Sequence, residues 1–65
     1  MVMTTEFFPY KIWDLQNNYY LMETRTHFII YEALFTENRM IRFKLPNDNL
    51  ITPEEVVDLW QNSLS

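Results

Sequence analysis

Residues 52–60 read Thr-Pro-Glu-Glu-Val-Val-Asp-Leu-Trp, and this stretch carries the strongest local structural signal in the chain. Thr52 can cap a helix, and Pro53 suits the first helical position. Glu55 follows the cap by three residues, as a capping box requires. The stretch therefore predicts a helix over about residues 53–63.

The predicted helix carries one apolar stripe. Val56, Leu59 and Trp60 follow at helical spacing, and Val57 and Leu64 widen the stripe. Because such a helix gains most of its stability from packing, we expect it to cover one face of the structure formed by the residues before it.

The residues upstream of this helix are rich in Tyr, Phe, Ile, Thr and Trp, which favour strands. The chain has no glycine, so turn positions with positive φ fall to asparagine or aspartate. Three polar clusters supply such residues: Gln16-Asn17-Asn18, Thr36-Glu37-Asn38 and Pro46-Asn47-Asp48-Asn49. The first two clusters predict hairpins, and the third predicts the turn before the helix.

A three-residue loop over residues 36–38 sets the predicted register of the second hairpin. Phe35 then lies opposite Arg39, and Tyr31 lies opposite Phe43. Because opposite residues share a face, this register produces one largely apolar face. The apolar members of that face are Ile29, Tyr31, Ala33, Phe35, Ile41, Phe43 and Leu45.

The same loop in the first hairpin pairs Leu15 with Tyr19 next to the turn. Each hairpin then gains one pair of opposite charges across its strands. These pairs are Lys11 with Glu23 and Glu32 with Arg42. The link over residues 24–27 contains no Gly, Pro, Asn or Asp, the residues that favour turns most. It is therefore the least supported connection in the predicted sheet.

We predict a single α+β domain over residues 1–65: a small four-stranded antiparallel β-meander of two hairpins, with one C-terminal α-helix packed on one face. Pro9 indicates an edge strand or an irregular start. A helix over residues 21–35 is the alternative, but the β-branched and aromatic content favours strands. The strands are expected near residues 7–15, 19–25, 28–35 and 39–45.

Composition limits the function classes. The chain has 65 residues and a net charge of −4, and a chain of this size buries only about 60% of its surface. Without cysteine it has neither a disulfide nor a thiolate zinc site. Its first residues lack the basic region of a secretory signal, and no apolar run reaches the roughly 18 residues of a membrane helix. We therefore expect a cytoplasmic protein.

Residue types that carry catalysis are scarce. His27 is the only histidine, and although it could be oriented by Glu23, a strand-end histidine explains it more simply. Asp48 and Asn49 lack the rest of a calcium loop and are explained as turn formers. Without glycine there is no phosphate-cradling loop and no glycine-flanked nucleophile. We expect no enzymatic activity, no metal, no cofactor and no small-molecule substrate.

The charged residues allow two binding interpretations. Arg39, Arg42 and Lys44 alternate with apolar residues, as in a nucleic-acid-binding strand. The predicted register pairs Arg42 with an acid, however, and the acidic chain opposes a polyanion, so we expect no direct nucleic-acid binding. The helix carries Glu54, Glu55 and Asp58, which suit the positive end of the helix dipole. These three acids are also a candidate patch for a basic partner.

The second face of the predicted sheet is more apolar than a solvated face should be. In the first hairpin it carries Tyr10, Ile12, Tyr20 and Met22 around Asp14. An N-terminal segment through Phe8 could cover part of it; otherwise such a patch is typical of an interaction surface. The expected contact residues are Phe28, Ile30, Glu32, Leu34, Met40 and Arg42, with Glu54, Glu55 and Asp58 as a second patch.

These features predict a small acidic protein-binding module. We expect an inhibitor or adaptor of a larger protein, with basic and nucleic-acid-binding proteins as candidates, comparable in character to phage-encoded inhibitors and antitoxins. The alternative is a structural or assembly subunit that forms a homodimer through the second face of its sheet.

Overall fold

Five antiparallel strands and one C-terminal helix make up the residues that the computed structural model describes, which are 1–7, 10–35 and 38–64. The strands form one sheet in the order β1-β2-β3-β4-β5, with the helix against one side. The elements are β1 (Val2–Phe7), β2 (Tyr10–Gln16), β3 (Tyr19–Glu23), β4 (His27–Ala33), β5 (Arg39–Pro46) and α1 (Pro53–Ser63). The α+β class and the antiparallel meander are confirmed, but the sheet has five strands and not four.

The additional strand is β1. It pairs with β2 at the edge of the sheet, so the described part of the N-terminal segment extends the sheet sideways and does not wrap over a face. Phe8 and Pro9 lie outside the described residues, and so does the predicted irregularity at Pro9. The helical alternative for residues 21–35 is wrong, because β3 and β4 occupy most of that range.

The start and end of α1 agree with the prediction. The Glu55 backbone N–H donates to Thr52 Oγ1 (3.2 Å), and the Thr52 backbone N–H donates to Glu55 Oε1 (3.3 Å). This reciprocal capping box satisfies two backbone donors that the first helical turn would otherwise leave unpaired. In the described part of the chain, no helix is long and apolar enough to cross a membrane.

The core lies between α1 and the middle of the sheet. Val56 and Trp60 of α1 are buried against Leu21, Phe28 and Ile30 of β3 and β4. Partly buried apolar side chains surround this cluster: Trp13, Leu15, Tyr19, Phe43, Leu45, Ile51 and Val57. One ring of this border, that of Tyr19, is tilted against the Trp60 ring with centroids 5.0 Å apart.

The first hairpin keeps its predicted register along most of its length. The confirmed pairs are Lys11 with Glu23, Ile12 with Met22 and Trp13 with Leu21. Near the turn the prediction is wrong: Tyr19 faces Gln16, and Leu15 is the extra residue of a bulge. Asn17 and Asn18 have φ values of 56° and 67°, so they form a two-residue turn of the type I′ kind. Two adjacent asparagines thus adopt the positive φ values for which this turn usually requires glycine.

The second hairpin departs from its predicted register. Ile30 faces Phe43 while Tyr31 faces Ile41, so Arg42 is the extra residue of a β-bulge. The bulge breaks the alternation of β5 and sends Ile41 and Phe43 to opposite sides of the sheet. Thr36 and Glu37 of the predicted loop lie outside the described residues.

The link between the hairpins is built by Thr24. Its hydroxyl accepts from the backbone N–H groups of Thr26 (3.3 Å) and His27 (3.0 Å), and its own N–H donates to the His27 carbonyl (2.8 Å). Asn47 fastens β5 to this turn, since its side-chain amide donates to the Thr24 carbonyl (2.8 Å). A threonine hydroxyl therefore supplies the turn chemistry that the sequence pattern did not reveal.

Removing the helix cap provides a direct test of this architecture. We expect Thr52→Ala to lower the free energy of unfolding by about 1 kcal/mol, because the Glu55 N–H loses its acceptor. Urea denaturation measures the change. The control is Gln61→Ala, an exposed helical position away from the cap, for which a change within about 0.5 kcal/mol is expected. Equal losses in the two variants would contradict the role of the cap.

Candidate protein-binding surface

The sheet has two unlike sides because α1 covers only one of them. The covered side carries Leu21, Phe28 and Ile30. Residues directly opposite each other in antiparallel strands share a side, so the strand pairs assign the remaining side chains. We call the other side the open face, and define it as Val2, Thr5, Phe7, Tyr10, Ile12, Asp14, Tyr20, Met22, His27, Ile29, Tyr31, Ala33, Arg39, Ile41 and Lys44.

The open face presents large apolar side chains to solvent near both edges of the sheet. Val2, Phe7 and Ile41 are 68%, 72% and 58% exposed, and Tyr10 is about half exposed. Towards the middle, Tyr20, Met22 and Ile29 are partly buried, and Tyr31 is buried at 5% exposure. Exposed apolar side chains grouped on one face are typical of a surface that binds another macromolecule.

An aromatic pair forms the centre of the open face. The rings of Tyr20 and Tyr31 stack with centroids 5.6 Å apart, and the Arg39 guanidinium lies 5.3 Å from the centroid of Tyr31. Burial raises the pKa of the Tyr31 hydroxyl above its usual value, an effect that the charge of Arg39 opposes and that Tyr20 reinforces. Stacking and the cation–π contact hold this part of the face in one arrangement.

A shallow depression of about 420 Å³ lies on the same face, towards the turn that links the hairpins. Its lining includes the apolar or aromatic Ile29 and Tyr10 and the polar Lys44 and His27. His27 Nδ1 lies 3.0 Å from the Thr26 hydroxyl. Glu23 pairs with a core residue on the covered side, so the His27–Glu23 pair considered from the sequence does not form.

Charge is distributed unequally between the two sides. Among the described residues of the open face, Asp14 is acidic and Arg39 and Lys44 are basic. On the covered side and the helix layer, Lys11 and Arg42 are outnumbered by acids. Those acids are Glu6, Glu23, Glu32, Asp48, Glu54, Glu55 and Asp58. The acidity of the described residues therefore belongs to the covered side and the helix layer together.

Two of the predicted contact residues lie in the core. Phe28 is 1% exposed and Ile30 is 0% exposed, so the prediction that they belong to a solvent-facing surface is wrong. The turn at Thr24 sets the phase of β4 relative to the first hairpin, and this phase turns both side chains towards α1.

The other predicted residues of the second hairpin lie away from the open face. Arg42 donates to Glu32 Oε1 at 2.8 Å, which confirms the predicted ion pair, but the pair is on the covered side. Met40 is exposed opposite Glu32, and Leu34 lies beyond the end of β4. Their participation in binding stays a prediction.

The acidic residues of α1 are all exposed. Glu55 accepts from the backbone and hydroxyl of Thr52, so its role in capping the helix explains its presence. Glu54 and Asp58 are four residues apart and are neighbours on the helix surface. A role of these acids in recognition also stays a prediction.

The sequence correctly predicted that Tyr10, Ile12, Tyr20 and Met22 of the first hairpin lie on one side of the sheet. It did not predict that Ile29, Tyr31 and Ile41 lie on that same side. A signal for them existed in the register between the hairpins. The observed β3–β4 pairs join Leu21 with Ile30 and Met22 with Ile29, so like residues face each other. Pairing β3 and β4 by this similarity would have assigned the open face.

The basic residues of β5 do not share one side. Arg39 and Lys44 are on the open face, whereas Arg42 is held by Glu32 on the covered side. Within the described ranges, no group of three or more histidine or carboxylate side chains is arranged to hold a metal ion.

Comparisons of the chain with protein-family models, with curated protein sequences and with solved structures found no match. Proposals about function therefore rest on the surfaces described above.

A pair of isoleucines tests which side of the sheet is covered. We expect Ile30→Ala to lower the free energy of unfolding by about 2–4 kcal/mol, because it leaves a cavity beneath α1. Ile41→Ala should cost about 0.5 kcal/mol or less, because Ile41 is exposed. Denaturant unfolding of both variants measures the difference. Similar costs would contradict the assignment of the two sides.

The raised pKa of Tyr31 predicts a pH dependence. Its neutral form is favoured in the folded protein, so this contribution to stability is present below the unfolded pKa of about 10 and is lost as the pH rises through the folded pKa. Ultraviolet titration should lose its most alkaline tyrosine transition in Tyr31→Phe, while that transition remains in the control, Tyr10→Phe. An unchanged titration of Tyr31→Phe would show that the hydroxyl is not desolvated.

Proposed function

We propose that this protein is a protein-binding module that inhibits or adapts a larger protein, and that it acts by binding and not by catalysis. The observation that carries the proposal is the open face, which α1 leaves uncovered and which presents Val2, Phe7 and Ile41 to solvent. Water contact with these side chains is unfavourable, and a partner that covers them removes that cost.

The size of the open face supports this role. Five strands spaced about 4.8 Å apart and about six residues long, at about 3.3 Å per residue, span on the order of 500 Å². Specific interfaces bury about 800 Å² per partner, and weak ones bury less. The face is therefore large enough for a weak or transient complex, or for most of a standard one.

The residue types of the open face also support binding. Tyr10, Tyr20, Met22 and Arg39 belong to the types that are enriched at protein interfaces. Aromatic side chains supply large contact areas at a low cost in conformational entropy. The stacked Tyr20–Tyr31 pair is already ordered, so binding would not have to order it.

The charge distribution gives the module a second surface. When a partner occupies the open face, the acids of the helix layer remain accessible, with Glu54 and Asp58 at its exposed helix. A basic or nucleic-acid-binding partner would be attracted by this layer, and salt would weaken the attraction. An adaptor requires two such surfaces, and an inhibitor can use either of them.

One observation favours the assembly alternative. The charged residues of the open face are one acid, Asp14, and two bases, Arg39 and Lys44. The face is therefore nearly neutral, although the chain has a net charge of −4. Two copies could therefore stack through this face with little charge repulsion. A homodimer that buries the open face would then take the place of a separate partner.

The test is a pull-down from source cells with the partner identified by mass spectrometry. We expect Ile41→Asp to abolish capture, because it places a charge in the apolar contact. The matched control is Leu59→Asp, which changes an exposed apolar residue of α1 and should retain the partner. A third variant reverses Glu54, Glu55 and Asp58 to Lys. Circular dichroism first verifies that each variant is folded.

The outcomes separate the interpretations. Loss of the partner with Ile41→Asp alone supports the open face, and loss with the charge-reversed helix alone supports the acidic layer. Capture that is unaffected by Ile41→Asp contradicts binding through the open face. If no partner is captured and Ile41→Asp converts a dimer into a monomer in solution, the open face serves assembly.

A further inference from the structure

The two edge strands of the sheet are protected to different degrees. β5 contains Arg39, Arg42 and Lys44, ends at Pro46, and is distorted by the bulge at Arg42. Basic side chains, proline and bulges are the features by which proteins keep an edge strand from pairing with another chain. The β5 edge is therefore the better protected of the two against further strand pairing.

β1 has few of these features. All six residues of Val2–Phe7 are exposed, Glu6 is the only charged residue among them, and β1 contains neither a basic residue nor a proline. Like β5, it has one irregularity in the pairing with its inner neighbour, between Met3 and Thr5. Every second residue of an edge strand directs its N–H and C=O away from the sheet, so β1 offers a row of backbone donors and acceptors.

We propose that β1 pairs antiparallel with β1 of a second copy of this chain, which joins two sheets into one sheet of ten strands. Pairing along the whole strand places Val2 opposite Phe7 of the second copy, Met3 opposite its Glu6, and Thr4 opposite its Thr5. The two-fold symmetry repeats each pair, so the strand is its own complement.

The side chains agree with this register. Val2 and Phe7 both belong to the open face, and their pairing joins a β-branched residue to an aromatic one, which is a favourable cross-strand combination. Met3 and Glu6 both lie on the covered side, so their pairing is also consistent. No like charges are opposed, whereas a register centred on Glu6 would bring two carboxylates together.

This dimer would leave the proposed binding surface free. The two-fold axis between antiparallel neighbours is perpendicular to the sheet, so both open faces lie on the same side and next to each other. The pairing itself depends only on β1. Its consequence rests on the proposed function: two adjacent open faces make the module bivalent, which raises its avidity for a partner with repeated sites.

Cysteine cross-linking tests the register, because the chain has no cysteine of its own. We expect a mixture of Val2→Cys and Phe7→Cys proteins to form a disulfide-linked dimer under mild oxidation. Val2→Cys alone should not, because the two Val2 positions are five residues apart along the paired strands, about 16 Å. That distance exceeds the roughly 7 Å limit between the Cα atoms of a disulfide.

A second measurement tests the pairing without a covalent bond. Val2→Lys with Phe7→Glu places opposite charges across the two-fold axis, and Val2→Lys with Phe7→Lys places like charges there. Both double variants remove the same apolar contacts. We expect the like-charged protein to dimerise about tenfold more weakly in sedimentation equilibrium, since two charge pairs change by symmetry.

The results separate this proposal from the proposed function. No cross-link in the mixture, or equal cross-linking by Val2→Cys alone, overturns pairing through β1. Equal dimerisation of the two charge variants does the same. If a partner is captured through Ile41 while β1 fails these tests, only the dimer is rejected. If the β1 dimer forms but Ile41→Asp leaves partner capture unchanged, only binding through the open face is rejected.

Discussion

Contact between α1 and the middle of the sheet determines the rest of the structure. Val56 and Trp60 are buried on Leu21, Phe28 and Ile30, and burial of a large apolar side chain contributes about 1.5–3 kcal/mol. A chain of this size supports one such core. With a single helix available among the described elements, only one side of the sheet is covered. The exposed apolar surface opposite α1 is therefore a direct consequence of how the core is built.

The strands of this sheet are connected by turns that contain no glycine. Gln16, Asn17, Asn18 and Asn49 have positive φ values, which non-glycine residues adopt at a cost that asparagine tolerates best. Side chains stabilise the turns further, as where the Asp14 carboxylate accepts the Gln16 N–H at 2.7 Å. Residues other than glycine also restrict the unfolded chain, which lowers the entropy lost on folding.

The open face and the helix layer differ in chemistry as well as in cover. The open face is apolar, aromatic and nearly neutral, and the covered side and the helix layer together hold most of the carboxylates. This separation gives one small domain two surfaces of different chemistry. The edge strand β1 is a third surface, and the pairing that we propose for it uses backbone groups and not a patch of side chains.

Local signals account for what could be predicted. The capping box at Thr52 and Glu55 is contained in a few residues, so the start of α1 was predictable. The body of the first hairpin was predictable because its strands meet across a short turn. The bulge at Arg42 appears only in the pairing of β5 with β4, and Asn47, 23 residues further along the chain, joins β5 to the Thr24 turn. Consequently the contact residues predicted at the second hairpin were assigned to the wrong side.

The sequence by itself determined that this is an α+β protein with an amphipathic C-terminal helix, an antiparallel meander and more apolar surface than one helix can cover. Only the tertiary structure decided which side of β4 is buried. Phe28, Ile29, Ile30 and Tyr31 are all apolar or aromatic, so alternation along the strand does not distinguish the two sides. The choice was made by the cross-strand partners in β3 and by the position of α1, and neither is encoded within β4.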